Sequence, residues 1–223
     1  LTVFGADVRR DGLAVTVSPR PELTGQDVVV PSDISSAAFF IVAGLLVADA
    51  TVTCVAVGVN PTRTGILDAL RAMRGDVRPQ REVMSGAEPV ADLETSTSSL
   101  RGAEFGGDEI VTMIDELPLV ALAASQAHGR TVVRDAAELR VKETDRIATI
   151  VSELANLGVE VAPRPDGFVI EGPQPIRGGE CESHGDHRIA MMCAVAGLIA
   201  DRPTTVHNVE CVNTSFPTFW ELL

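Results

Sequence analysis

Two cations stand four residues apart in "ELRVKETDRIATIVSELANLG": Lys142 and Arg146, with Glu143 beside the first. The stretch reads as an amphipathic helix beginning near Lys142, which would place both cations on one face. An α-helix start already favours anions through its free N–H groups and its dipole. Arginine can hold a carboxylate or phosphate by two parallel hydrogen bonds, and lysine acts as a point charge. Acidic residues are the usual occupants of a first turn, so two cations there ask for an anion. Spacing alone leaves two readings open: an anion site, or a solvated turn with Glu143 pairing locally.

Two further stretches carry reactive groups. In "IDELPLVALAAS", Pro118 suits a first helical turn. Asp115 or Glu116 could cap that helix; alternatively, Asp115 is a carboxylate at the rim of a buried helix, able to take a hydroxyl proton. In "SHGDHRIAMM", Asp186, His187 and Arg188 precede an apolar run. Asp186 could be a simple cap with two exposed neighbours, or Arg188 a second anion clamp and His187 a hydrogen-bonding or proton-transfer group. In "VNTSFPTFWELL", Thr214 and Ser215 could cap the short helix at the chain end, with Phe216, Phe219 and Trp220 in the core. His128, His184 and His207 are given no role.

The elements that must position these groups form a repeat. "DISSAAFFIVAGLLVADATV", "DELPLVALAASQAHGRTV" and "DHRIAMMCAVAGLIADRPTTV" each run from an Asp through an apolar, small-residue helix to a "TV" strand. The three helices are apolar nearly all round and should lie between other elements. A second helix follows each strand: Ile66, Leu67, Leu70 and Met73 stripe the first, and Ile147, Ile150, Val151, Leu154 and Leu157 the second, with Gly158 as its C-terminal stop. The third is cut short. Strand pairs are expected next, "DVRPQREV" with "LRGAEFGG" and "VEVAPRP" with "FVIEGP", the latter turning at Asp166-Gly167. The predicted class is α/β with mixed sheets and helices packed inside. Before Ser35 the pattern changes: a hairpin turning at Asp11-Gly12, a linker-like "SPRPELTGQ", and a strand in "QDVVVPSD". This piece reads as part of a neighbouring domain.

Composition excludes several classes. The chain has 223 residues and a net charge of -13, from 18 Lys plus Arg against 31 Asp plus Glu. That balance opposes nucleic acid or an anionic membrane as partner, without opposing a small anion held by local charge. Seven Phe, one Trp and no Tyr make an aromatic nucleic-acid platform a poor reading. The most apolar stretch falls short of the roughly 20 residues of a bilayer span. Cys54, Cys181, Cys193 and Cys211 show no zinc spacing; Cys54 and Cys193 read as buried thiols. The expected compartment is reducing, hence cytoplasmic. No phosphate loop of the Walker or Rossmann kind is present, so no cofactor or metal is expected.

"PSDISSAAFF", "DELP", "LRVKETDRI" and "GDHRIAM", in this order and within this repeat, closely resemble the 5-enolpyruvylshikimate-3-phosphate synthase family (3-phosphoshikimate 1-carboxyvinyltransferases of aromatic amino-acid biosynthesis). The resemblance covers essentially the whole chain and the C-terminal half of the family's usual length. It implies the enolpyruvyl transferase fold, in which three β-α-β-α-β-β units build each domain. Residues 35–223 would be the C-terminal, phosphoenolpyruvate-binding domain, and residues 1–34 the tail of an N-terminal, shikimate-phosphate-binding domain. The implied reaction joins phosphoenolpyruvate to the 5-hydroxyl of shikimate 3-phosphate and releases phosphate. By motif, Asp115 would be the base at that hydroxyl, Glu143 would handle the methylene proton, and Lys142 would bond the reacting oxygens. Arg146 and Arg188 would clamp phosphoenolpyruvate, with Asp186 and His187 in support. Thr214 stands where many relatives carry Lys, as in the family's glyphosate-tolerant class; glyphosate is the inhibitor implied. Glu138 stands where some relatives carry Asn. The chain by itself is expected to be inactive. The alternatives are a non-catalytic ligand-binding module on this fold, and a UDP-N-acetylglucosamine enolpyruvyl transferase.

Overall fold

The computed structural model describes residues 1–223. The hairpin of β1 (Val8–Asp11) and β2 (Ala14–Val17) comes first, turning at Gly12 with φ +55°. The apolar run ahead of the first long helix is not a strand. Val28, Val29 and Val30 are exposed, and only Ser32 makes a bridge, to Val57. A strand needs a ladder partner along its length, and this run has one at a single residue.

From Asp33 onward the repeat is laid out as α1 (Ile34–Leu46), β3 (Thr51–Gly58), α2 (Gly65–Ala72), β4 (Asp76–Ser85) and β5 (Glu88–Ser96). Next come β6 (Glu104–Phe105), α3 (Asp108–Val111), α4 (Leu117–Gln126), β7 (Gly129–Val133), α5 (Arg146–Asn156), β8 (Ala162–Arg164) and β9 (Gly167–Gly172). The last unit is β10 (Glu180–Glu182), α6 (His187–Gly197), β11 (Thr205–His207), and the short helices α7 (Val212–Ser215) and α8 (Phe219–Leu222). The second unit's sheet has the order β6-β7-β9-β8, with β6 parallel to β7 and the other neighbours antiparallel. The first repeats it as β3-β5-β4, its leading strand reduced to the Ser32 bridge on Val57. The third has only the parallel pair β10-β11.

Two expected strands are reassigned. The partner of β4 is "EPVADLETS", joined to it through Gly86 at φ +62°, and not "LRGAEFGG". A local hairpin closes a far smaller loop than the more distant pairing would. Glu104 and Phe105 instead open the second unit's sheet beside β7. Each apolar helix therefore follows a strand of its own unit.

The helices α1, α4 and α6 pack against one another at the centre. Every residue of α4 from Leu117 to Ser125 is buried. The surface-side helices α2 and α5 bury most of the predicted stripes, Ile66, Leu67, Leu70 and Met73 in one and Ile147, Ile150, Leu154 and Leu157 in the other, with Val151 only partly buried. Burying such a side chain is worth about 1.5–3 kcal/mol. Gly158, at φ +89°, ends α5 as expected. Phe219 is buried and meets Phe39 and Phe40 with ring centroids 5.9 and 5.8 Å away, which pins the C-terminal helices to α1. No helix is long and apolar enough to cross a membrane.

Candidate active site

The starts of the three central helices meet, and the reactive residues of the sequence motifs gather there. Asp33 caps α1, accepting from the Ser36 N–H at 2.9 Å, and Asp186 caps α6, accepting from the Arg188 N–H at 2.9 Å. Neither Asp115 nor Glu116 caps α4; they occupy a 3-10 turn, Ile114–Glu116, just before it. Pro118 supplies the first-turn geometry, so both carboxylates are free to face across the helix ends.

The helix start at "VKETDR" falls later than its periodicity suggests. A 3-10 turn, Ala137–Val141, ends at Lys142, and α5 begins only at Arg146, capped by Asp145. The Asp145 carboxylate accepts from the Ala148 N–H at 3.1 Å, and an N-cap residue has non-helical backbone. Lys142 and Arg146 therefore do not share a helical face. They converge because the intervening turn folds both toward Asp115: Lys142 Nζ lies 3.4 Å and Arg146 Nη1 3.0 Å from Asp115 Oδ1.

Arg146 is the hub. Its side chain is 1% exposed. Its Nε donates to Asp186 Oδ2 at 2.8 Å, Nη1 to Asp115 Oδ1, and Nη2 to Glu143 Oε2. Asp186, fully buried, also accepts from Thr144 Oγ1 at 3.1 Å. Burial would raise the Asp186 carboxyl, but the hydrogen bonds and charge of Arg146 outweigh it and hold it below its ordinary value. The Arg146 guanidinium is held correspondingly more basic, against its burial, by Asp186, Glu143 and Asp115.

Arg188 is placed differently. Its Nη1 donates to the Asp115 carbonyl and to Glu116 Oε1, both at 3.2 Å, and its Nη2 comes within 3.7 Å of Asp115 Oδ2. The Nε–Nη2 edge makes no protein hydrogen bond. The residue borders a cleft of about 100 Å³ lined also by Asp33, Ser35, His187, Ser215 and Phe216. His187 makes no side-chain hydrogen bond; burial and then the Arg188 charge push its imidazole below the usual value. Burial works to raise Asp115 as well, yet Arg188, Lys142 and Arg146 together bring it below the usual carboxylate range. Lys142 is also bonded by Glu138 at 3.1 Å; burial opposes its charge, and Glu138 and Asp115 prevail and raise it.

Asp115, Lys142, Glu143, Arg146, Asp186 and Arg188 are thus brought into one cluster, with His187 at its edge. Thr214 is not: it is exposed, inside α7, and neither it nor Ser215 caps a helix. Sequence reasoning passed over the first unit's part of the centre. Ser35 Oγ donates to Glu116 Oε1 at 2.6 Å, Arg63 Nη2 donates to Ser35 Oγ at 3.0 Å, and Arg63 lies 3.7 Å from Asp33. The repeat itself was the signal, since Asp33 and Ser35 hold the place at α1 that Asp186 and Arg188 hold at α6.

A second cluster lies deeper. Glu153, Cys181 and Cys193 bring carboxylate and thiol atoms within 4.8 Å of one another, all buried. Both Glu153 oxygens are already committed: Oε1 to Ser152 and His184, Oε2 to Asn156 and the Glu182 N–H. A carboxylate with its acceptor directions filled joins α5 to β10 and leaves no lone pair for an ion. Cys54 is half-buried, not fully buried as the apolar run suggested.

The family model for EPSP synthase (3-phosphoshikimate 1-carboxyvinyltransferase) matches residues 1–223. This chain belongs to that family. It is 52% identical over 219 residues to the 3-phosphoshikimate 1-carboxyvinyltransferase of Desulforudis audaxviator, covering 98% of the chain and 51% of the relative. The relative of the same name from Bacillus subtilis is 47% identical over 224 residues, covering 100% of the chain and 52% of the relative. The EPSP synthase of Acinetobacter baumannii superposes with a TM-score of 0.96 at 45% identity, over 100% of this chain and 52% of that one. The enolpyruvyl transferase NikO of Streptomyces tendae, 23% identical with a TM-score of 0.76, shares the fold. The chain spans about half the length of the EPSP synthases it matches. The repeated units are those of the enolpyruvyl transferase fold.

Proposed function

We propose that this chain is the phosphoenolpyruvate-binding, C-terminal half of an EPSP synthase, acting with the other half of the family's length on phosphoenolpyruvate and shikimate 3-phosphate. Residues 1–34 belong to the tail of the other domain and residues 35–223 form this one. The observation that carries the reading is the convergence of Asp115, Lys142, Glu143, Arg146 and Arg188 on one point at the helix starts. A scaffold or a simple binding module has no use for a carboxylate ringed by three cations. Together with the family match, this disfavours both the non-catalytic module and the aminosugar transferase.

Arg188 presents a two-nitrogen edge that makes no protein hydrogen bond, its Nη2 only in a loose 3.7 Å ion contact with Asp115, and such an edge can hold a carboxylate or phosphate bidentately. Lys142, its side chain 22% exposed, meets the same Asp115 carboxylate and is the other cation of the cluster that can receive an anion. Arg146 reaches a ligand only where Asp115 or Glu143 turns away from it toward substrate. Asp115 in its ion-paired state is a weak base. Anionic groups arriving on Lys142 and Arg188 neutralise those cations, which raises Asp115 toward the range where it accepts a proton. It then takes the 5-hydroxyl proton while that oxygen bonds to C2 of phosphoenolpyruvate and Glu143, entering in its acid form, protonates the methylene carbon. Loss of phosphate, which carries off the proton held by Asp115, with a methyl proton returned to Glu143, restores the double bond. Asp186 fixes Arg146, and His187 lines the cleft beside Arg188. Glyphosate, which carries a carboxylate and a phosphonate, would occupy the same cations.

The test is phosphate release from both substrates by this chain joined to the other half, compared with Asp115→Asn and Arg188→Ala. Both variants are expected to lose about 100-fold or more in kcat/KM. Full activity in either variant would refute the reading.

A further inference from the structure

Arg188 can act as described only if one end of its guanidinium is held while the other stays open, and the residue at the held end is Glu116. Its side chain is 4% exposed. Its Oε1 accepts from Ser35 Oγ at 2.6 Å and from Arg188 Nη1 at 3.2 Å, while Arg63 Nη2 donates to the same Ser35 hydroxyl. The four residues come from all three repeat units: Ser35 and Arg63 from the first, Glu116 from the second, Arg188 from the third. Nη1 is held by two acceptors at 3.2 Å, the neutral Asp115 main-chain carbonyl and the Glu116 carboxylate, and only Glu116 supplies a charge there, because the Asp115 carboxylate is shared among three cations and is the group that must turn to substrate. Burial raises the Glu116 carboxyl, against the hydrogen bond from Ser35 and the charge of Arg188, so the fold keeps a carboxylate there at a cost.

We propose that Glu116 is a positioning residue: it grips Nη1 of Arg188 and, braced by Ser35 and Arg63, leaves the Nε–Nη2 edge aimed into the cleft for the anionic substrate. It does not touch the reacting atoms. Neutralising it with Glu116→Gln keeps a hydrogen-bond acceptor but removes the charge that orients the guanidinium. Removing Ser35 Oγ with Ser35→Ala removes the brace and leaves the charge. This rests on the reading of Arg188 given above.

The experiment uses the longer polypeptide, with phosphate release measured against each substrate in turn. Glu116→Gln is expected to raise KM for phosphoenolpyruvate about 10-fold with kcat lowered less than about 3-fold and KM for shikimate 3-phosphate unchanged. Ser35→Ala should move the same constant in the same direction by a smaller factor. In an Arg188→Ala background, Glu116→Gln should add less than about 2-fold, because a residue acting through another has nothing left to orient. A merely structural role would move kcat and both KM values and would persist in that background. Thermal unfolding confirms that each variant is folded; where Glu116→Gln does not fold, Ser35→Ala and its cycle with Arg188→Ala carry the same test. A folded Glu116→Gln or Ser35→Ala with unchanged KM for phosphoenolpyruvate overturns the proposal. If Arg188→Ala itself leaves phosphoenolpyruvate use intact, the reading of Arg188 has failed instead.

Discussion

Arg146 and Arg188 carry the same guanidinium into the same cluster, and their exposures of 1% and 14% separate what each does. All three nitrogens of Arg146 face carboxylates, so its removal strands Asp186, fully buried, without a counter-charge. Arg146→Met should therefore destabilise the fold by about 3–5 kcal/mol, read by denaturant unfolding. Arg188→Ala should cost less stability, since Asp115 keeps two other cations and Glu116, though it loses its ion partner, keeps the hydrogen bond from Ser35. The pH dependence follows from the same contacts. Asp115 and Asp186 are held below their unfolded values, so their contribution is complete above about pH 4 and is lost as pH falls through that range. Glu116 has the opposite sign: its folded carboxyl sits above the unfolded value, so what it contributes is present in acid and lost as pH rises through the folded value. The two aspartates outnumber it at the hub. The midpoint of thermal unfolding is expected to drop below about pH 4, and in Arg146→Met that acid slope should flatten. An unchanged slope would mean that Arg146 is not what holds those carboxylates ionised.

At the scale of elements, the turn between β7 and α5 does what a helical face was expected to do. Lys142 and Glu143 precede the helix because Asp145 takes the cap, and the 3-10 turn before them is tied to the β8–β9 hairpin: Arg140 donates to the Pro165 and Arg164 carbonyls at 2.7 and 2.6 Å. That hairpin lies tight against β7. A Cβ on Gly167 would stand 2.0 Å from the Val133 carbonyl oxygen, a backbone atom that cannot swing aside. Gly167→Ala should thus separate β9 from β7, cost about 1–3 kcal/mol, and loosen the turn that aims Lys142. Hydrogen exchange at residues 134–145 would report the loosening; unchanged protection there would show that the turn is held independently of the hairpin. The central helices were legible as apolar repeats because their whole circumference is buried. The β4–β5 hairpin was missed although Ala91, Leu93 and Thr95 alternate inward against Asp92, Glu94 and Ser96; Pro89 and the adjacent buried pair Val90 and Ala91 break the pattern at the strand's start, and the pairing is set by the Gly86 turn and the ladder itself.

Across the whole molecule, three units bring helix starts to one centre, and local cations offset an overall charge of -13 there. Arg188 borders a small cleft, and the chain spans half the length of its relatives. In the function proposed above, the other half of the family's length closes over the anion. The isolated chain is expected to release no phosphate above background from the two substrates, and to regain turnover when mixed with or joined to the other half. Turnover by the isolated chain near that of the joined protein would contradict this.

Residue types and their order sufficed for the family and for the three apolar helices, and they named Asp115, Lys142, Glu143, Arg146, Asp186 and Arg188, which the fold brings together. Motifs and periodicity are local, and each of these features is written within a few turns of chain. Which arginine is buried and which is open, where α5 begins, and that Ser35, Arg63 and Glu116 complete the centre were decided only by the tertiary structure. Those outcomes depend on contacts between units as many as 81 residues apart, as in the Ser35–Glu116 hydrogen bond, where burial and competing charges settle which donor meets which acceptor.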